Sequence, residues 1–126
     1  MVLSDLGARV IKVEAPEIGD DSRKFGPFVE DYSAYFMSLN RGKESIALNL
    51  KNSDDKKIFD KILAKADILV ENFKPGTLKK WGYGYEEVNK KFPKLIYASA
   101  SGFGQTGPLK ELPAYDMVVQ GMGGLM

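Results

Sequence analysis

Residues 71–76 read Glu71-Asn72-Phe73-Lys74-Pro75-Gly76. A carboxylate, an amide, an aromatic ring and a cation stand between an apolar run, Ile68-Leu69-Val70, and a Pro-Gly turn signal. Polar chemistry at a strand's carboxyl end points to ligand binding, because open α/β sheets bind ligands along that edge. Phe73 is either a small core residue tucked under the turn or a wall against a flat ring. Asn72 can donate to and accept from the polar edge of such a ring. Lysines form a second signal. Lys43, Lys51, Lys74, Lys79 and Lys80 fall near strand ends and the loops after them. Any single one reads as solvated surface, since Lys is rarely buried. Grouped along one edge of a parallel sheet, they suit a polyanionic ligand carrying several phosphates.

Two further motifs carry less. Residues 102–107, GFGQTG, fit the spacing of a dinucleotide fingerprint and follow a strand. That fingerprint must also open a helix, whereas Pro108 follows at once and Pro113 soon after. The segment therefore reads as a turn loop or a lid, and no NAD or FAD is expected. Asp116 is either a reactive carboxylate or a residue at a helix N-terminus, where negative charge is favourable, and the helix reading is preferred. The 126 residues contain no cysteine and no histidine. That excludes disulfides, thiolate metal sites and Cys nucleophiles, and it removes the commonest general base and metal ligand. No metal is expected. A net charge of +1 argues against a nucleic-acid partner. No apolar stretch reaches the length that crosses a bilayer, and the start lacks the layout of a signal peptide. No membrane is expected, and a cytoplasmic location is.

The elements that must position these residues alternate. Met1–Leu6 reads as the tail of a helix with Gly7 closing it. Arg9–Glu14 reads as a strand and residues 15–31 as a long loop. Ser33 caps a short helix through Asn40, with Tyr35, Phe36 and Leu39 on one face. Ser45–Leu50 is a second strand. Ser53 caps a helix through about Lys65, with Ile58, Phe59, Ile62 and Leu63 as its stripe. Asp67–Glu71 is a third strand, Tyr85–Phe92 a helix and Leu95–Ala100 a fourth strand. Residues 101–113 form a Gly/Pro loop, and a last helix starts at Tyr115 and stops among Gly121, Gly123 and Gly124. Strands alternating with helices predict an α/β fold, a partial Rossmann-like parallel sheet with flanking helices. The chain reads as one incomplete domain over 1–126.

Several long stretches together resemble the family III CoA-transferases, the group that includes formyl-CoA transferase, carnitine CoA-transferase and the acyl-CoA racemases. They are LGARVIKVE (6–14), GDDSR (19–23), SAYFMSLNRGKESIALNLK (33–51), ADILVENFKPGTL (66–78), LIYASASGFGQTGP (95–108) and PAYDMVVQGMGGLM (113–126). The resemblance implies transfer of CoA between an acyl-CoA and a free carboxylic acid, with coenzyme A or its thioester as substrate. It implies a CoA-binding role for Leu48, Asn49, Leu50 and Lys51, for Asn72, Phe73, Lys74 and Lys80, and for Pro113, Ala114, Tyr115 and Asp116. The family's nucleophile is an aspartate expected beyond Met126, so no catalytic residue is expected within the chain. That aspartate forms a mixed anhydride and then an aspartyl-CoA thioester, splitting the exchange into two easier steps. An interlocked homodimer is implied for the full-length protein. Two departures stand out. Formyl-CoA transferase has Arg where this chain has Ala15. The racemases have a His-Asp pair where this chain has Tyr115-Asp116, and a phenol with an ordinary pKa of about 10 is a poor acid/base substitute. A racemase or epimerase, and a truncated non-catalytic CoA-binding fragment, are the alternative readings.

Overall fold

The computed structural model describes residues 1–126. The chain forms two compact units, Met1–Phe59 and Asp60–Met126. No helix is long and apolar enough to cross a membrane.

The first unit opens with helix α1, Val2–Asp5. Gly7 follows it at φ +94, the left-handed conformation that ends a helix and that glycine adopts without strain. Strand β1, Val10–Glu14, pairs in parallel with β4, Lys43–Ala47, from Val10 opposite Lys43 to Glu14 opposite Ala47. Parallel neighbours need a long crossover. Here it contains a 3-10 turn (Asp21–Lys24), a two-strand ribbon of β2 (Phe28–Val29) and β3 (Tyr32–Ser33), and helix α2 (Ala34–Asn40). The expectation of an unbroken loop over 15–31 is therefore corrected. Asp20 accepts from the Ser22 amide at 2.8 Å and so starts the 3-10 turn. The ribbon turns at Glu30, which adopts φ +54.

Ser33 caps α2 as the sequence predicts. Its hydroxyl accepts from the Phe36 amide at 3.0 Å and faces the carbonyls of Ser22 and Phe25 with its one proton. The face of Tyr35 and Leu39 stays exposed, at 46% and 40%. Glu14, at the end of β1, is 7% exposed. A buried carboxylate needs partners, and it has them. Arg23 donates to both of its oxygens at 3.0 and 3.1 Å, and Ser45 donates at 2.8 Å. The Arg23 guanidinium also lies 3.9 Å above the Phe36 ring, a cation–π contact. The bonds from Arg23 hold the Glu14 carboxyl below the ordinary range against the effect of burial.

Strand β4 ends at Ala47 and not at Leu50, because its register with β1 stops at Glu14. Helix α3, Ser53–Leu63, crosses the boundary between the units. The Asp54 amide donates to the Asn52 side-chain oxygen at 2.8 Å, so Asn52 caps α3 and Ser53 is its first residue. Phe59 and Leu63 are buried, whereas Ile58 is 43% exposed.

In the second unit β5, Ile68–Glu71, pairs in parallel with β6, Ile96–Ser99, from Ile68 opposite Ile96 to Glu71 opposite Ser99. Between them lie α4, Thr77–Lys80, so that Lys79 and Lys80 sit on a helical turn and not in a loop, and α5, Tyr85–Lys91. Leu63, Leu78, Tyr83, Val88 and Leu95 form the buried core. The Tyr83 hydroxyl donates to Asp60 at 3.2 Å, and the Tyr97 hydroxyl donates to the Tyr83 carbonyl at 3.0 Å. Residues 101–115 leave β6 as an irregular loop, slightly longer than the expected 101–113, and α6 spans Asp116–Met122 with Tyr115 as its cap position and not its first residue. The chain is thus a mixed α/β protein with parallel strand pairs and flanking helices.

Candidate functional site

In the first unit the candidate residues follow β4. The Leu48 amide donates to the Glu14 carbonyl at 2.9 Å, which extends the ladder by one bond and turns the Leu48 side chain inward, to 5% exposure. Leu48 can thus offer a ligand its backbone and not its side chain. The Asn49 amide donates to Asp55 at 2.7 Å, and the Asn49 side-chain oxygen accepts from the Lys51 amide at 3.1 Å. That local ring is an Asx turn. It fixes the backbone over 48–51 and leaves Leu50 half-buried and Lys51 exposed. Lys43 belongs elsewhere. It opens β4 at the end opposite Lys51 and donates to the Asn40 side chain at 2.7 Å, so it is removed from the lysine group.

In the second unit Glu71 explains the layout of its own segment. One carboxylate oxygen accepts from the Phe73 amide at 2.8 Å, and the other accepts from the Ser99 hydroxyl. The chain then turns at Pro75-Gly76. Gly76 has φ +82 and ψ −5, and the Thr77 amide donates to the Lys74 carbonyl at 3.0 Å. Those angles fit the third position of a type II turn, which favours glycine. Asn72 is exposed. Phe73 remains 44% exposed and meets Trp81 edge-on, with ring centroids 5.4 Å apart. The ring is therefore held by an aromatic partner and still remains open to solvent.

An open cleft of about 480 Å3 lies beside this segment, lined among others by Glu71, Lys74, Lys79, Tyr85, Tyr97 and Gln105. Lys74 and Lys79 bring two cations to it, whereas Asn72, Phe73 and Lys80 lie outside its lining. Tyr85 and Tyr97 meet edge-on at 6.0 Å and give it an aromatic wall. Burial, with the carboxylates of Glu71 and Glu87 nearby, pushes the Tyr97 phenol up to about 12. Ser99 accepts from the Gln105 side-chain amide at 2.8 Å, and the same amide reaches Ser101 at 3.2 Å. Gln105 thereby ties the Gly-rich loop to the strand edge. Cations, an aromatic wall and hydrogen-bonding groups together suit a phosphorylated ligand with a flat ring.

Sequence reasoning missed Tyr97, Ser99 and Gln105. Tyr97 and Ser99 stand on one face of β6, because successive side chains alternate. In register they oppose Leu69 and Glu71. The alternation in LIYASA was the available signal, but without the register nothing marked Ser99 as the partner of Glu71. Tyr115 precedes α6 and is 78% exposed. Asp116 is the first residue of α6 and accepts from Gln120 at 2.5 Å, in agreement with the helix-terminus reading. Pro113 is exposed and Ala114 half-buried against Gly102. No group of three or more acidic side chains is gathered as a metal ligand set.

The family model described as CoA-transferase family III matches residues 1–126. The acetyl-CoA:oxalate CoA-transferase of Acetobacter aceti is 58% identical over 125 residues, which is 99% of this chain and 32% of that protein. The succinyl-CoA:glutarate CoA-transferase of Mus musculus is 49% identical over 127 residues, 100% of this chain and 29% of its own length. The crystal structure of a CaiB/BaiF family protein from Brucella suis superposes with a TM-score of 0.91 at 48% identity, covering 98% of this chain and 34% of that one. The chain spans about a third of the length of these relatives.

Proposed function

Because the chain belongs to CoA-transferase family III, we propose that it supplies the CoA-binding part of an enzyme that moves CoA between an acyl-CoA and a free carboxylic acid. The end-to-end family match carries this reading. Relatives named for oxalate, glutarate, mesaconate and malate make a short dicarboxylic acid the proposed acceptor. In the first unit the CoA-lining residues are proposed to be Leu48, Asn49, Leu50 and Lys51. In the second they are Asn72, Phe73, Lys74, Lys80, Pro113, Ala114, Tyr115 and Asp116. Lysine ammonium groups hold phosphates as point charges, and the solvent-open ring of Phe73 suits the flat base of the nucleotide. The covalent step is proposed on an aspartate outside residues 1–126. The setting proposed for the whole enzyme is a cytoplasmic interlocked homodimer built on a Rossmann-like sheet.

Calorimetric titration of CoA into the purified chain tests the binding part. Saturable heat is expected, with affinity lowered roughly tenfold by Lys74→Ala or Lys51→Ala, the loss of one hydrogen bond to a charged group. Absence of heat from a demonstrably folded sample would overturn the reading for this chain. For the whole enzyme, transfer from acetyl-CoA to oxalate or glutarate should outpace transfer to a monocarboxylic acid of the same length. Equal rates would remove the dicarboxylate assignment.

A further inference from the structure

We infer that Gln105 is a positioning residue. Through it, the Gly-rich loop after β6 sets the place of Pro113–Asp116. The inference rests on the CoA reading above for its ligand and on the geometry of the second unit for its mechanics. The loop begins on Ser101, itself within reach of Gln105. A first turn forms where the Gly104 amide donates to the Ser101 carbonyl at 3.3 Å. Gln105 closes that turn onto the strand edge by donating to Ser99, and Ser99 donates onward to Glu71. Each group uses its proper role. The amide gives its protons, the hydroxyl accepts one bond and donates another, and the carboxylate accepts.

The loop's far end returns to its start. A methyl group at Gly102 would overlap the Ala114 methyl and sit 3.2 Å from the Ala114 Cα. Gly102 and Ala114 therefore close the neck of a compact loop, in the manner of an Ω-loop packed on its own ends. Ala114 leads directly into Tyr115, which precedes α6, and Asp116, which begins it. The chain of bonds Glu71–Ser99–Gln105 fixes one side of the neck, and the neck fixes the segment proposed to touch CoA. Gln105 also lines the cleft that Lys74 lines, so the tie lies beside one of the lysines proposed to hold CoA.

Two measurements on the whole chain test this, with Gln105→Ala, Ser99→Ala and the double variant. Amide nitrogen relaxation without ligand is expected to show increased motion at Ala114, Tyr115 and Asp116 in Gln105→Ala, with β5 unchanged. Unchanged relaxation at those three amides would overturn the tie, and it would do so whether or not the chain binds CoA. CoA titration is expected to show about a fivefold weaker affinity in Gln105→Ala, the scale of one ordinary hydrogen bond, with no change in melting temperature. The loss in the double variant should fall short of the sum of the two single losses, because both residues act through one shared bond. Loosened amides with unchanged CoA affinity, or losses that simply add, would overturn the positioning role. Failure of the unsubstituted chain to bind CoA would sink the function reading, while the relaxation comparison would still decide the tie.

Discussion

Glu14 keeps its charge in a nearly closed site because Arg23 and Ser45 satisfy its oxygens. Removing one partner of a buried pair leaves the other unpaired, but Arg23 is 46% exposed and solvent offsets part of the loss. Glu14→Gln is therefore expected to cost about 2 kcal/mol, below the range for a fully buried pair, read from the urea midpoint. A second carboxylate of the first unit, Asp20, predicts acid sensitivity. Burial works to raise Asp20, but Lys12 and Ser22 outweigh it and hold the carboxyl at about 2. A depressed carboxylate contributes stability above its unfolded pKa, and that contribution disappears as pH falls through the folded value. Stability should fall between about pH 4 and 2, and less steeply in Asp20→Asn. A flat urea midpoint across that window would refute the coupling. Tyr83 behaves oppositely, pushed up to about 12 by burial and then by Asp60. Its neutral form is the favoured one, so its contribution is complete below about pH 10 and is lost toward 12. Phenolate absorbance should show a late-titrating component that Tyr83→Phe and Tyr97→Phe each reduce. Of these residues the sequence disclosed little. Glu14 looked like the polar end of an alternating strand, since its partner Arg23 lies in a crossover whose path no local pattern fixes.

Helix starts show where local reading succeeds and where it stops. Ser33 was legible as a cap because its hydroxyl bonds three residues on, within α2 itself. Ser53 was misread because Asn52, one residue earlier, takes the role. Adjacent cap-forming residues compete, and tertiary placement decides between them. Asn52→Ala should cost about 1 kcal/mol by thermal melting and Ser53→Ala less than half of that. Equal costs would return the cap to Ser53. The parallel sense of the strands was readable from their alternation with helices, but their pairing in separate two-stranded sheets was not, and the end of β4 was set by its register with β1 and not by its own apolar pattern. The β2–β3 ribbon escaped notice because its turn, Glu30-Asp31, contains neither Gly nor Asn. Helix α4 is a single turn and too short to carry a period. Of the residues that line the cleft, Lys74 could be picked out by type. The Glu71–Ser99–Gln105 chain could not, because it joins three segments through a strand register.

For the chain as a whole, fold class was readable and the division into units was not, because the boundary falls inside the continuous helix α3. The second unit's sheet has two strands, and one of its faces carries Ile68, Val70 and Ile96 at 46%, 61% and 60% exposure. An open apolar face beside unpaired strand edges favours association, and a net charge of +1 supplies little repulsion against it. The chain by itself is expected to self-associate at neutral pH. Val70→Lys combined with Ile96→Lys should shift sedimentation toward smaller species without changing the circular dichroism spectrum. An unchanged distribution would place the association elsewhere.

The contact between Gly102 and Ala114 has space for one methyl group and not two. The two positions, twelve residues apart, therefore share a single allowance of volume. Gly102→Ala alone should unseat the start of α6, and adding Ala114→Gly should restore it by moving the methyl across the contact. Substitutions at these positions are thus expected to be tolerated as an exchange and rejected singly, so that a neutral change at one is set by the occupant of the other.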